Sequence, residues 1–480
     1  MRTVGTKLVG LVVTSLLVTG SAYASSEDTD KELSEMRALV KELGQKVDAQ
    51  QEQLEHQSGM LQDAQKVVRD QQHQDQEKGA LSGVGEFWQA IDVNMSAAGS
   101  YAWNFNNPSE HQGAGFSGAG ANQGANGAFY PFHGDHNSFQ VDQVWLDIGK
   151  KVTDESRAGF MFSILYGNVA SYDAQAFNLQ AIGANRRSLS DDSTSDYYVA
   201  QAYVKYLAPL GEGVEVDLGK FETLLGAEVA DQSKNWNITR SNLWTLMQSI
   251  DHTGLLVSTT AGPLVFAGGV VNQNNVLNGS PDVNNEKSYL AKVAFAPKDG
   301  PFSVAANVLY GEEGSAATGS AVTIAGAPIG IQSNRDTGLF DLLANFNSDA
   351  FSAWANFDYG WVEGSGANAW GAAIAGMVPF GDLSATLRLE YLRDHNTGPG
   401  AHTAGVQQSF FPILGGHHSD IYGATGTLAY KLAENLTAKT EIRWDHVNET
   451  GNGPGAHEFF TSGANREMQV VGLAQLVYAF

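Results

Sequence analysis

Two stretches near the C-terminus alternate charge with apolar residues. In residues 436–447, Thr437, Lys439, Glu441, Arg443 and Asp445 take every second place, separated by Ala438, Thr440, Ile442 and Trp444. In residues 383–393, Ser384, Thr386, Arg388 and Glu390 alternate with Leu383, Ala385, Leu387, Leu389 and Tyr391. An extended strand sends successive side chains to opposite faces, so each stretch has one charged face and one apolar face. A row carrying both signs can line an aqueous passage and set a field across it; no bond chemistry follows from that spacing. Lys205, Glu215, Asp217, Lys292 and Asp358 hold matching positions in other alternating stretches. A second group, Glu228, Asp231, Lys234, Trp236 and Arg240, falls in LGAEVADQSKNWNITRSNLW. Its charges could narrow such a passage, with Trp236 and Trp244 anchoring the segment to a wall. An outward surface loop with solvated charges is the alternative.

Other chemistries find little footing. Cysteine is absent, which excludes thiolate metal sites, disulfides and cysteine nucleophiles. His133 with Asp135 and His136, His402, and His417-His418 sit among Gly and Ser. Adjacent histidines on a strand point to opposite faces, a poor ligand geometry, so they read as solvated loop residues. The stretch GAGFSGAGANQGANGAF opens no helix and is not a phosphate loop. No Ser-His-Asp or paired-carboxylate spacing stands out, so neither catalysis nor a metal or cofactor is expected. The net charge is -24, most of the acidity falls after residue 85, and there is no basic patch, which argues against nucleic acid as a partner.

The elements that would position these charges are strands. After Glu86 the apolar period is two, and sixteen stretches of about 9–11 residues or slightly more can be counted to the end of the chain. Between them short connections (150–156, 208–213, 262–263, 297–301, 347–350, 381–382, 433–435) take turns with long ones. That alternation predicts an all-β, up-and-down transmembrane barrel of antiparallel strands with both ends in the periplasm. Merging or missing a hairpin would give fourteen or eighteen. In residues 351–361 one face carries Phe351, Ala353, Ala355, Phe357, Tyr359 and Trp361, aromatics flanking small residues as at two membrane interfaces. Mean hydropathy is slightly negative, as such alternation allows. An arginine at the lipid midplane costs about 2–4 kcal/mol, so Arg388 and Arg443 must face inward. There they call for water, which makes the lumen hydrated.

The N-terminal part is different. Arg2 and Lys7, the apolar run 8–18 and Ala22-Tyr23-Ala24 form a secretory signal over residues 1–24. No run of about 18 apolar residues exists to make a membrane helix. From Leu33 through Met36, Val40, Leu43, Val47, Gln50, Leu54, Gln57, Leu61, Ala64 and Val68 to Gln71, spacings of three and four alternate. This is the seam of a left-handed coiled coil. It predicts an α-helical periplasmic stalk over 27–78, homotrimeric for preference, then a linker over 79–86 and the barrel over 87–480. A single helix folding back on the barrel is the alternative.

The segments HNSFQVDQVWLDIGKKVTDESRAGFMF, YYVAQAYVKYLAPLGEGVEVDLGKFETLLGAEV and NWNITRSNLWTLMQSIDHTGLLVS resemble the OmpL-like β-barrel porin family (β-barrel porin type 2), over roughly residues 87–480. The resemblance implies an outer-membrane channel and names no solute. General porins fold their third long loop inward, and 225–249 holds that position here. The expected function is passive diffusion of small hydrophilic solutes and ions. The alternatives are an envelope tether whose coiled coil reaches the peptidoglycan, and a substrate-specific channel, for sugars for instance, with Trp145, Trp236 and Trp244 as a track. The last strand, 468–480, should pair with the first and close the barrel against outer-membrane lipid, with Tyr478 and Phe480 in the periplasmic girdle and Gln469 and Gln475 inside.

Overall fold

The structure, a computed structural model, describes residues 88–107, 132–133, 136–170, 197–272, 286–313, 322–324, 327–329, 335–363, 368–395, 418–450 and 467–480. The signal, the stalk and the linker lie outside these residues. In chain order the strands are β1 (Ile91–Asn104), β2 (Ser138–Lys150), β3 (Ala158–Tyr166), β4 (Tyr197–Ala208), β5 (Val214–Glu222), β6 (Asp251–Ala261), β7 (Leu264–Val271), β8 (Ser288–Phe295) and β9 (Phe302–Glu313). After them come β10 (Val322–Ile324), β11 (Ala327–Ile329), β12 (Arg335–Asn347), β13 (Ser352–Val362), β14 (Asn368–Phe380), β15 (Leu383–His395), β16 (His418–Ala433), β17 (Leu436–Thr450) and β18 (Met468–Ala479).

All but β10 and β11 form a closed antiparallel barrel in which sequence neighbours pair and β1 meets β18. The barrel therefore has the sixteen strands expected. The two short strands make a separate hairpin inside the connection between β9 and β12, which the sequence left as loop. Closure is direct: Ser96 is opposite Ala479, and Met95 and Phe480 exchange backbone hydrogen bonds of 3.2 and 3.0 Å. A membrane sheet has no water to satisfy an open edge, so this pairing replaces it. Tyr478 and Phe480 stay on the outer surface, while Gln469 and Gln475 face inward and are buried.

The alternation sorts the side chains as the pattern requires. Ile374, Leu387, Leu389, Ile442 and Leu476 are exposed on the outside. At the end of the barrel that carries the long loops, Trp370, Tyr391 and Tyr422 stand in a row with 5.1 Å between successive ring centroids, an interfacial belt. Three register shifts break the alternation, one of them between Lys431 and Ala433 where β16 meets β17. Where β1 and β2 shift register, Ala98 faces Gln143 and Gly99 faces Val141, so Asp142 is the extra residue and it and Gln143 are both buried inside. In β4 the shift falls between Gln201 and Val199.

Candidate functional site

The connection from β5 to β6, the third long loop, lies inside the barrel. Local sequence folds it into two short caps joined by extended chain. Asp231 accepts from the Ser233 backbone N–H at 3.0 Å and starts a 3-10 turn, Gln232–Lys234. Ser241 accepts from the Trp244 N–H at 3.0 Å and caps helix α1, Asn242–Met247. Between them Arg240 ties the loop to itself. Its Nε donates to Val229 O at 2.7 Å, Nη2 to Ala230 O at 2.7 Å, and Nη1 to Ile238 O at 3.2 Å. Burial lowers the Arg240 guanidinium to about 10, against the pull of Glu228 and Asp231, and it stays charged at neutral pH.

Polar groups of this loop are spent on the wall. Arg388 donates to Glu228 Oε1 at 2.7 Å and to Thr239 O at 2.6 Å. Arg443 donates to Arg240 O at 2.5 Å and to Asn242 Oδ1 at 2.6 Å. Glu441 accepts from the backbone N–H of Ile238 at 2.6 Å and of Thr239 at 3.0 Å, and from the Thr239 hydroxyl at 2.6 Å. Glu390 accepts from the Asn242 N–H, and Asp445 from Asn242 Nδ2 at 2.9 Å. On the opposite flank, Asp231 accepts from Gln143 at 2.6 Å and Ser96 at 3.1 Å, while Gln475 donates to Gln232 at 2.6 Å. At the far end of the loop Gln248 donates to Asp358 at 2.8 Å. Arginine suits this role because its planar fork reaches several carbonyls and a carboxylate at once, which an ammonium cannot.

The apolar side chains of the loop pack in two directions. Leu243, Leu246 and Met247 join a cluster with the inward residues Leu256, Val271, Leu290, Leu309 and Leu339. Trp244 packs with Phe132, Trp145 and Leu165. The wall makes room at Gly371, where an added Cβ would come within 2.3 Å of Leu392 and 2.8 Å of Leu243. The loop therefore spans the lumen from the β1–β2 side to the β13–β17 side.

Several expectations are corrected by this packing. Arg388 and Arg443 do face inward, yet both are 0% exposed, as is Asp445, and Glu441 is buried beside them. They sit against protein where hydration was expected, because a strand's pattern gives the face of a side chain and says nothing of what stands opposite. Trp145 and Trp244 are buried in a packed cluster and cannot be stepping stones for a solute; Trp236 alone of the three is half-buried. His133 and His136 are buried rather than solvated: His133 lies 3.6 Å from Asp142, and His136 accepts the Asn104 N–H at 3.0 Å.

Lys205 and Glu215 pair at 2.6 Å with side chains 19% and 28% exposed, and Asp217 lies 4.0 Å from the same ammonium. Lys292 is half-buried on β8. Lys234 is the most open charge of the loop, 52% exposed, 3.4 Å from Asp231 and 3.8 Å from Asp147. Burial would lower the Lys234 pKa, but Asp231, Glu222 and Asp147 around it hold it above the usual value. Asp142, Gln143 and Asp147 were missed in the sequence. The adjacent pair Asp142-Gln143 was the available signal, since two neighbouring polar residues inside an alternating strand mark a bulge.

Comparison with curated proteins finds no match. Among solved structures the chain is similar to OprB of Pseudomonas putida at high pH, with 12% identity and a TM-score of 0.49 over 83% of this chain and 96% of that one. It is similar also to the trimer form of OmpT, an outer membrane protein of Vibrio cholerae (10%, TM-score 0.47, 81% and 99%). A third similar structure is an anion-selective porin from Comamonas acidovorans (10%, TM-score 0.46, 81% and 99%). The family described as putative beta-barrel porin-2, OmpL-like, matches residues 91–480, most of the chain and all of the barrel strands, and the chain belongs to that family.

Proposed function

We propose that this porin lets small hydrophilic solutes and ions diffuse passively across the outer membrane, with the third long loop as its constriction. The observation that supports this reading is the loop's course through a closed barrel, tied to the wall by Arg388, Arg443 and Glu441. A loop held at so many points narrows the lumen at a fixed place, as a size filter must. Glu228, Asp231, Lys234, Trp236 and Arg240 divide the work. Glu228 and Arg240 hold the loop's shape, Asp231 joins it to β1 and β2, and Lys234 and Trp236 keep a surface towards solvent. Along the wall, Lys205, Glu215 and Lys292 border the open part of the lumen, with Asp217 buried beside Lys205. Residues 27–78 would form a homotrimeric stalk reaching through the periplasm.

Single-channel conductance in planar bilayers tests the reading. The purified chain should conduct, and Glu228→Gln, which removes the acceptor of Arg388, should raise conductance or make it noisy by loosening the loop. Complete absence of ion conductance in the unaltered chain would defeat it. Deleting residues 33–71 should leave conductance intact and reduce crosslinked trimers.

A further inference from the structure

Below the loop, at the end of the barrel that carries the short turns, lies a cavity of about 280 Å³. Its lining includes Ser233 and Trp236 of the loop, Ser384 and Thr386 of β15, and Thr437 and Lys439 of β17. Glu434 and Asn435 of the β16–β17 turn also line it. The volume approaches the lower end of the range for small-molecule sites, about 300 Å³.

Lys439 is the unusual member. It is 6% exposed, and its Nζ makes one hydrogen bond, to the Asn235 carbonyl at 2.6 Å. Among the described residues it has no ion pair. The acid two positions along the same face, Glu441, is fully engaged, accepting four hydrogen bonds from Ile238, Thr239 and Thr427. A buried ammonium is costly unless paired, and this one has two unspent N–H donors beside a cavity. The hydroxyls of Ser384, Thr386 and Thr437 line the same space and donate to nothing among the described residues. Trp236, half-buried, supplies an apolar wall.

We propose that this cavity is a binding subsite for a small organic carboxylate entering from the short-turn end. Lys439 supplies the counter-charge, the threonine and serine hydroxyls hydrogen-bond the carboxylate oxygens, and Trp236 packs on the carbon skeleton. Glu434 lines the cavity and is exposed, so its carboxylate disfavours dianions more strongly than monoanions. The proposal concerns binding and goes beyond passive diffusion; it stands or falls without any measurement of conductance.

The test is a saturation-transfer NMR titration of the purified full-length chain in detergent, with benzoate, acetate, benzyl alcohol, benzylamine and inorganic phosphate as probes. Benzoate should bind, with the alcohol and the amine at least about tenfold weaker, a difference of about 1.4 kcal/mol. Lys439→Met should abolish benzoate binding, Lys439→Arg should keep it within a few-fold, and Thr386→Val should weaken it. Trp236→Leu guards against a folding artefact, since it leaves the ammonium in place; it should weaken benzoate and leave acetate unchanged. Equal binding of benzoate and benzyl alcohol, no binding of benzoate, or benzoate binding that survives Lys439→Met would overturn the proposal. Phosphate binding more tightly than benzoate would overturn the choice of a carboxylate.

Discussion

Two arcs of the same inner wall, built from the same alternating pattern, end in different states. On β15–β17, Arg388, Glu390, Glu441, Arg443 and Asp445 are buried under the loop and spend their charge on it. On β4 and β5, Lys205 and Glu215 face the same lumen, remain part-exposed and pair with each other across neighbouring strands. The first arc is a structural seam holding the loop; the second keeps part of its charge open to solvent. A charge on the inner face of a barrel therefore has no fixed meaning. Its role depends on whether another segment desolvates it, since screening by water reduces an exposed pair to about 0–1 kcal/mol while a buried one cannot lose a partner cheaply.

Substitutions sharpen the contrast, beginning with the largest effect. Arg388→Met should strand Glu228 without its ion-pair partner, leave Glu390 with Arg443 alone, and cost about 3–5 kcal/mol, read as a lowered thermal unfolding midpoint in detergent. Lys205→Met should cost about 0–1 kcal/mol by the same measurement and change ion selectivity instead. Equal losses for the two would erase the distinction between the arcs.

Acid should act on the loop's other anchor. Burial alone would raise the Asp231 carboxyl, but hydrogen bonds from Gln143 and Ser233 and the Lys234 ammonium outweigh it and hold it below its ordinary 3.8. A depressed carboxylate contributes stability that is complete above the ordinary value and is lost as pH falls through the lowered one. The Asp231 contribution to conductance and unfolding midpoint should thus be complete and independent of pH between about pH 5 and 8, and the loop's β1–β2 anchor should loosen only below 3.8. Asp231→Asn should remove that acid-dependent component; its persistence would place the titration elsewhere. The smallest structural effect belongs to Lys234→Gln. With the side chain 52% exposed, the unfolding midpoint should barely move, and the reversal potential in a salt gradient should shift towards cations because Asp147 and Asp231 lose their nearest ammonium.

Much of the frame was readable in advance. Leu383–His395 and Leu436–Thr450 showed their two faces in the sequence because the strand period is a local property of the backbone. The closing strand, Met468–Ala479, was readable for the same reason. Harder to read were the bulge at Asp142, which needs a partner strand to exist, and the hairpin β10–β11, whose strands are three residues each. The aromatic residues misled in one respect: Trp145 and Trp244 carry no local sign of whether they will meet solvent or a second side chain.

The sequence by itself determined that the chain alternates into a barrel and which way Arg388 and Arg443 point; barrel closure settled the strand count at sixteen. Tertiary structure alone decided that these arginines meet a loop instead of water. Arg388 and Glu228 are 160 residues apart, and no local pattern can encode a contact across that separation. Side-chain direction follows from the dihedral preferences of one strand, whereas desolvation depends on which distant segment fills the space opposite.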